Sequence, residues 1–341
     1  MIFDYICTMI STFAGTLLDW FSRYGRELPW RQTHDPYAIW LSEVILQQTR
    51  IQQGRDYWER FLQRFPTVEL LAAATEDEVL RLWQGLGYYS RARNLHKAAQ
   101  QIVALGAFPT TLEGIRSLQG VGDYTAAAVA SIAFGVDAAA VDGNVYRVLS
   151  RYFGVETPIN TPQGKRDFTL LATSLLPAGK AGAFNQALMD FGAIQCTPRS
   201  PRCVVCPLVE TCEALRTGRV DDLPVKRPKT KVLERRLAYI YIRYKGEVAI
   251  HRRGAGDIWQ GLWEPLLLEG DAQFDAGLPM LLLAKDVKHV LTHRILLADF
   301  YLVDAKEKPS LPEGYIWVAE SELDRYAKPR LVERLLEYLP D

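Results

Sequence analysis

The sequence predicts a mainly helical protein that ends in a small mixed α+β unit. Residues 12–215 repeat a 3.6-residue apolar period with almost no alternating stretches. A polar, proline-punctuated segment follows at 216–234, and the apolar period switches to two from residue 235 onward. The length of 341 residues fits two or three domains, and 48% apolar residues suffice for real cores. This composition argues against disordered, collagen-like and coiled-coil chains. No run approaches the roughly 20 apolar residues of a membrane helix.

The elements follow in chain order. Residues 12–23 read as an amphipathic helix. The stretch before it carries Asp4 and no basic residue until Arg23, unlike a signal peptide, which points to the cytoplasm; Met9 is a second candidate start, with 1–8 as an extension. In 36–49, Tyr37, Trp40, Leu41, Val44 and Ile45 share one helical face, behind an Asp35-Pro36 start signal. The same pattern recurs over 76–83, 92–104, 124–134, 145–149 and 183–192. Asp221-Asp222-Leu223-Pro224 and the basic run 225–231 read as a linker. Beyond it, 237–244 and 248–251 flank Lys245-Gly246-Glu247 as a hairpin, 289–303 and 315–318 read as strands, and 331–339 as a closing helix.

Four of the five cysteines, Cys196, Cys203, Cys206 and Cys212, fall in a C-x6-C-x2-C-x5-C run. In a reducing compartment such a cluster binds metal rather than forming disulfides. Thiolates select zinc or iron–sulfur, and one tight pair between two wider arms suits a cubane better than the two close pairs usual for zinc.

Forty basic and forty acidic side chains give zero net charge. Residues 1–220 hold 21 and 20 of them (+1), and 221–341 hold 19 and 20 (−1). This weighs against nucleic-acid binding through a bulk basic field. It does not exclude binding through a few basic stretches, 91–97, 199–202 and 226–231, with the opposing acids on another face. It also leaves room for helix N-termini. In Leu118-Gln119-Gly120-Val121-Gly122-Asp123-Tyr124-Thr125-Ala126 a glycine turn leads straight into a helix, a design that binds phosphate through backbone N–H groups without any lysine. Gly85-Leu86-Gly87-Tyr88-Tyr89, followed by Ser90-Arg91-Ala92-Arg93, pairs aromatic rings with cations as base-stacking surfaces do.

Two acids stand out. Glu43 lies in an otherwise apolar helix beside the polar Gln47-Gln48-Thr49, where burial would raise its pKa toward that of a general acid. Asp142, in Val141-Asp142-Gly143-Asn144-Val145, is placed to cap a helix and to face the same cleft as the glycine hairpin.

The hairpin string, the Val141–Val145 string and the four-cysteine run together resemble the helix-hairpin-helix DNA glycosylases of the endonuclease III superfamily. Trp40-Leu41-Ser42-Glu43-Val44-Ile45-Leu46-Gln47-Gln48-Thr49 and Gly85-Leu86-Gly87-Tyr88-Tyr89-Ser90-Arg91 narrow the resemblance to its adenine DNA glycosylase (MutY) branch. It implies a two-lobed helical module over 1–215, with a six-helix barrel at about 30–140 and an iron–sulfur domain formed by 1–29 and 141–215. A Nudix-like domain for 8-oxoguanine recognition follows at 235–341. The resemblance further implies a 4Fe-4S cluster on the four cysteines and a monomer acting on double-stranded DNA with 8-oxoguanine:adenine mispairs. Localisation would be cytoplasmic, at the nucleoid.

In that scheme Glu43 protonates the adenine. Asp142 stabilises the sugar cation, and Tyr124 and Asn144 position Asp142 and water. Bifunctional relatives carry lysine at position 124, so Tyr124 implies a glycosylase without strand cleavage. Trp30, Arg31 and Gln186 match the adenine pocket. Gln48 and Tyr88, with Leu46 and Thr49 nearby, match residues that enter the base stack, and Gly120, Gly122 and Thr125 belong to the DNA-binding hairpin. The lesion-reading loop corresponds to Val287-Lys288-His289-Val290-Leu291-Thr292-His293, which departs from the family's F-x-H-x-F-S-H form at three places. No glutamate-rich Nudix hydrolase helix is present, so phosphohydrolase activity is not expected. The alternatives are an endonuclease III-like glycosylase/lyase and an inactive iron–sulfur DNA-binding protein.

Overall fold

The computed structural model describes residues 2–228, 233–269, 279–291 and 294–340, with residues 2–11 as backbone only. The chain forms two compact units. One comprises Met1–Ala72 and Lys97–Pro228, and the other Ala73–His96 and Lys229–Asp341.

Helix α1 (Ile2–Tyr24) starts before the 12–23 stretch, because no glycine or proline interrupts the earlier residues. Helix α2 (Pro36–Ile45) begins where the sequence signal lies, with the Asp35 carboxylate accepting from the Tyr37 and Ala38 N–H groups. It stops at Ile45 rather than running to 49, since Gln48 takes a left-handed φ of 57°. Helices α3 (Ile51–Arg64), α4 (Val68–Ala73), α5 (Glu76–Trp83, behind a Thr75/Glu78 capping box) and α6 (Ser90–Leu105) follow. The hairpin pair is α7 (Leu112–Arg116) and α8 (Asp123–Phe134), joined through Gly120 at φ 75°. Next come α9 (Gly143–Phe153), α10 (Pro162–Ser174) and α11 (Ala181–Asp190). A π turn continues α11 over Phe191–Gln195, and α12 (Glu213–Arg216) closes the cysteine loop.

In the first unit, α1, α9, α10 and α11 share a core. Phe13, Leu17, Val148, Phe168, Phe184 and Phe191 are at most 2% exposed, and Cys196, Cys206 and Cys212 pack against it. Helix α8 is alanine-rich on its buried face, so α11 approaches its backbone directly. A Cβ on Gly182 would fall 2.6 Å from the Ser131 carbonyl oxygen. Buried Asn185 donates to Ser131 Oγ and the Ala138 carbonyl and accepts from the Ala140 N–H, fixing the segment that leads to Asp142. Residues of the expected linker run along this unit: the Ile159 N–H donates to the Val225 carbonyl at 3.0 Å.

In the second unit the strands are β1 (Leu233–Tyr244), β2 (Glu247–Arg252), β3 (Trp263–Glu264), β4 (Leu266–Glu269), β5 (Leu281–Val290), β6 (Arg294–Asp304) and β7 (Tyr315–Ala319), followed by α13 (Arg330–Leu336). One sheet runs β3-β2-β1-β6-β5, with β1 and β6 parallel, β4 on β1 and β7 on β2. The 289–303 stretch is thus two strands. The sequence pattern missed β3, β4 and most of β5; register shifts between Leu282 and Val287 break the period of two in β5. Helix α5 and the start of α6 dock here. Tyr89 Oη donates to the Lys328 carbonyl, and Arg93 Nη1 to that of Gln260. The expected basic stretch 91–97 is therefore partly used inside the fold. Arg91 stacks 5.0 Å from the Trp83 ring and donates to the Gly87 carbonyl. Residues 229–231 of the basic run 226–231 lie outside the described residues.

Gly182→Ala should cost about 1–3 kcal/mol, because the added methyl meets backbone rather than a movable side chain. A thermal melt of the variant checks this, and an unchanged midpoint contradicts the α8–α11 packing described.

Candidate active site

Asp142 stands at the N-cap of α9. Its Oδ1 accepts from the Asn144 and Val145 N–H groups at 2.9 and 2.8 Å, and its Oδ2 from the Asn144 amide at 2.7 Å. Burial raises the pKa of this carboxyl, and the three donors oppose that rise. Asn144 is pinned in turn. Its Oδ1 accepts from Arg147 at 2.8 Å, and the π turn presses against it so closely that a Cβ on Gly192 would lie 2.6 Å from its Cβ. Arg147 also donates to the Gly192 and Cys196 carbonyls, and Arg151, one turn on, to the Thr197 and Pro198 carbonyls. One face of α9 therefore links the Asp142 cap to the cysteine loop.

Glu43 projects from α2 and is only 9% exposed. Burial pushes its pKa up to about 7, and nearby Asp142 adds to the rise, while Arg31 and a hydrogen bond from Tyr124 oppose it. Tyr124 Oη donates to Glu43 Oε2 at 2.8 Å, with Met189 Sδ 3.2 Å from the hydroxyl. This corrects the expectation for Tyr124. Its hydroxyl holds Glu43, not Asp142, because the first turn of α8 faces α2. Asn144 does bind Asp142.

A cleft of about 990 Å3, counted to its open mouth, is lined by Glu43, Asp142, Tyr124, Asn144, Trp30, Arg31, Leu46, Thr49 and Gln186. An adjoining cavity shares Glu43, Leu46, Tyr124 and Asp142 and adds Gln48, Gly120, Gly122 and Thr125. The structure thus brings together both carboxylates, the pocket residues and the hairpin. Open space surrounds the place where a Gly122 Cβ would sit, at the N-cap of α8. Thr125 instead turns inward and accepts from Gln47 Nε2 at 3.2 Å. Tyr88 and His289 belong to the second unit and line a cavity there. Thr292 and His293 lie outside the described residues.

Sequence reasoning missed Asp190, whose side chain is fully buried. It accepts from the Arg26 N–H and guanidinium and from both Arg31 Nη atoms at 2.8 and 2.9 Å. That clamp fixes Arg31 on the pocket wall. An acid at the end of the apolar 181–190 helix was the available signal, since a buried carboxylate requires cationic partners.

Cys196, Cys203, Cys206 and Cys212 line one cavity. Among the described residues no three potential ligands converge on a single ion. Burial pushes the Cys206 thiol up to about 11 and raises Cys203 and Cys212, so only a cationic centre would hold them as thiolates. Four soft donors spread around a void fit a multi-iron cluster better than one zinc ion.

The scaffold defines a class: residues 41–171 match the HhH-GPD superfamily base excision DNA repair proteins, and residues 238–338 match the NUDIX domain. The chain is 34% identical over 257 residues to the adenine DNA glycosylase of Buchnera aphidicola subsp. Schizaphis graminum (strain Sg), covering 74% of each protein. It is 41% identical over 225 residues to that of Homo sapiens, covering 63% of this chain and 41% of the human one. A thermostable thymine-DNA glycosylase of known structure matches 62% of this chain and 99% of its own, with 33% identity and a TM-score of 0.58. The chain belongs to the adenine DNA glycosylase family, within the endonuclease III superfamily.

Because the folded Glu43 binds its proton more tightly than the unfolded one, the contribution of this group to stability falls as pH rises from about 4.5 to about 7 and then levels. Glu43→Gln removes this loss. The variant should gain on wild type across that window, by about 3 kcal/mol at most. Melts of both proteins between pH 5 and 8.5 check this, and parallel pH dependences contradict it.

Proposed function

We propose that the protein excises adenine opposite 8-oxoguanine in duplex DNA by hydrolysis and leaves an abasic site. The observation that carries this reading is the pair of carboxylates in one cleft, Glu43 pushed by burial to a pKa of about 7 and Asp142 with three hydrogen-bond donors opposing the rise that burial causes. A base inside a duplex is out of reach, so the adenine must be flipped into the cleft. Glu43, its pKa pushed up to about 7, donates its proton to a ring nitrogen of the adenine (N7 in the family scheme), so that the base departs as a neutral molecule. Tyr124 orients that acid. As the glycosidic bond breaks, the sugar gains positive charge, and Asp142 is the anion beside it, in the manner of two-carboxylate glycosidases.

Trp30, Arg31, Leu46 and Gln186 form the walls available to the base. Gly120 and Gly122 offer the α8 N-terminus to a phosphate, and Gln48 and Thr49 stand beside the cleft to enter the stack. With tyrosine at position 124, no hairpin lysine can form a Schiff base, so strand cleavage is not part of the reaction. Tyr88 and His289, with Thr292 and His293, would read the lesion from the second unit. The four cysteines would hold a 4Fe-4S cluster, which when bound cross-links the loop through iron–thiolate bonds. The chain's own part is to tie that loop to α9 through Arg147 and Arg151. Among the described residues no helix is long and apolar enough to cross a membrane. We place the protein at the nucleoid as a monomer.

The test is a duplex with adenine opposite 8-oxoguanine, assayed with and without alkali. Wild type should give strand breaks only after alkali, and Glu43→Gln and Asp142→Asn should each lower the single-turnover rate by roughly 10²–10⁴. Breaks without alkali would contradict the monofunctional assignment, and unaffected variants the assigned roles. The wild-type rate should fall above about pH 7 as Glu43 ionises, and again in acid as Asp142 is protonated.

A further inference from the structure

The cavity of the second unit is lined by Tyr88, Arg93, Trp259, His289, Arg294 and Arg330, among others. Two of these aromatic residues have left-handed backbones, Tyr88 at φ 48° and Trp259 at φ 61°. Bulky residues adopt that conformation only where the surrounding structure imposes it, and such residues gather at ligand-binding sites.

The loop that carries Trp259 is built to impose it. The Arg253 N–H donates to the Leu262 carbonyl and the Gly261 N–H to the Arg253 carbonyl, both at 2.9 Å. Inside the loop the Arg253 side chain donates to the Ile258 carbonyl at 2.9 Å and to Asp257 at 2.8 Å. Its Nη1 donates to Glu264, a carboxylate 1% exposed whose other oxygen accepts from Tyr239. Arg93 fixes the loop from outside through the Gln260 carbonyl. Trp259 itself packs on the sheet core and meets the His289 imidazole edge-on, with ring centres 5.8 Å apart. Arg294 and Arg330, which also line the cavity, are paired with Asp257 at 3.3 Å and Glu333 at 2.9 Å, so the wall carries charges of both signs.

Two aromatic side chains on imposed backbones lining one cavity, one of them on a glycine loop, suit stacking against a nucleobase. We propose that Trp259 is a specificity-determining residue, forming with Tyr88 an aromatic slot that grips the 8-oxoguanine-bearing strand. This rests on the functional reading above. Trp259 acts on binding of that strand, and is not among the residues lining the carboxylate cleft.

The experiment measures affinity, at one fixed salt concentration, for duplexes carrying 8-oxoguanine or guanine opposite an adenine nucleotide that resists cleavage. Trp259→Ala should lose roughly 5- to 100-fold affinity for the 8-oxoguanine duplex. The loss for the guanine duplex should be smaller, so that discrimination falls, while the excision rate at saturating enzyme is unchanged. Trp259→Phe should retain most of the discrimination. Unaltered discrimination in a folded Trp259→Ala overturns the inference. If that variant does not fold, fluorescence decides: the change on binding the 8-oxoguanine duplex should be smaller in Trp259→Phe than in wild type, and an identical change overturns the inference. Wild type that does not itself distinguish the two duplexes sinks the functional reading and the inference together. Wild type that distinguishes them while Trp259→Ala does so equally sinks the inference alone.

Discussion

The carboxylate of Asp142 caps α9 and faces the cleft at the same time, and the arrangement around it follows from that double placement. Two backbone N–H groups and the Asn144 amide hold it, and the positive end of the helix dipole lies behind it. A partly buried carboxyl without such donors would take up a proton in low dielectric and could not stabilise a cation. The donors are themselves held. Asn144 sits between Arg147 and the π turn at Gly192, and Arg147 and Arg151 grip the carbonyls from Cys196 to Pro198. The chemistry of the acid therefore depends on the backbone of the cysteine loop.

Burial raises both carboxyls, and Glu43 meets it with fewer donors. It has a tyrosine hydroxyl where Asp142 has three N–H groups, and burial pushes its pKa up to about 7. Arg31 is the cation that could have held Glu43 ionised. Asp190 takes both ends of that guanidinium, which directs much of its charge away from Glu43. The zero net charge of the chain has a similar logic. Arginines that read as a basic stretch are committed within the fold, Arg91 to Trp83 and Arg93 to Gln260. A cleft walled by glycine turns and helix N-termini needs few free cations to meet a phosphate backbone.

Local features were legible in the sequence because their causes are local. The Asp35-Pro36 start, the glycine hairpin, the cysteine spacing and the acid stranded in an apolar helix each depend on a few neighbouring residues. Contacts across long separations were not legible. The Tyr124–Glu43 hydrogen bond spans 81 residues, and the Asp190 clamp reaches back 164 residues to Arg26. Both depend on how helices pack, which no periodicity encodes. The docking of residues 73–96 with the C-terminal sheet was hidden for the same reason. Strand β5 escaped because its register shifts disrupt the alternation that identifies strands.

The central claim is that Glu43 keeps its proton far above the range of an ordinary glutamate, while the donors at the α9 N-cap hold back the same rise in Asp142. Difference infrared spectroscopy of wild type against Glu43→Gln and Asp142→Asn reads both groups directly. A protonated carboxylic acid band at pH 6 that vanishes in Glu43→Gln, persists in Asp142→Asn and fades in wild type above about pH 7 is the predicted result. Absence of that band at pH 6, or its disappearance near pH 4.5 as for an ordinary glutamate, would contradict the account.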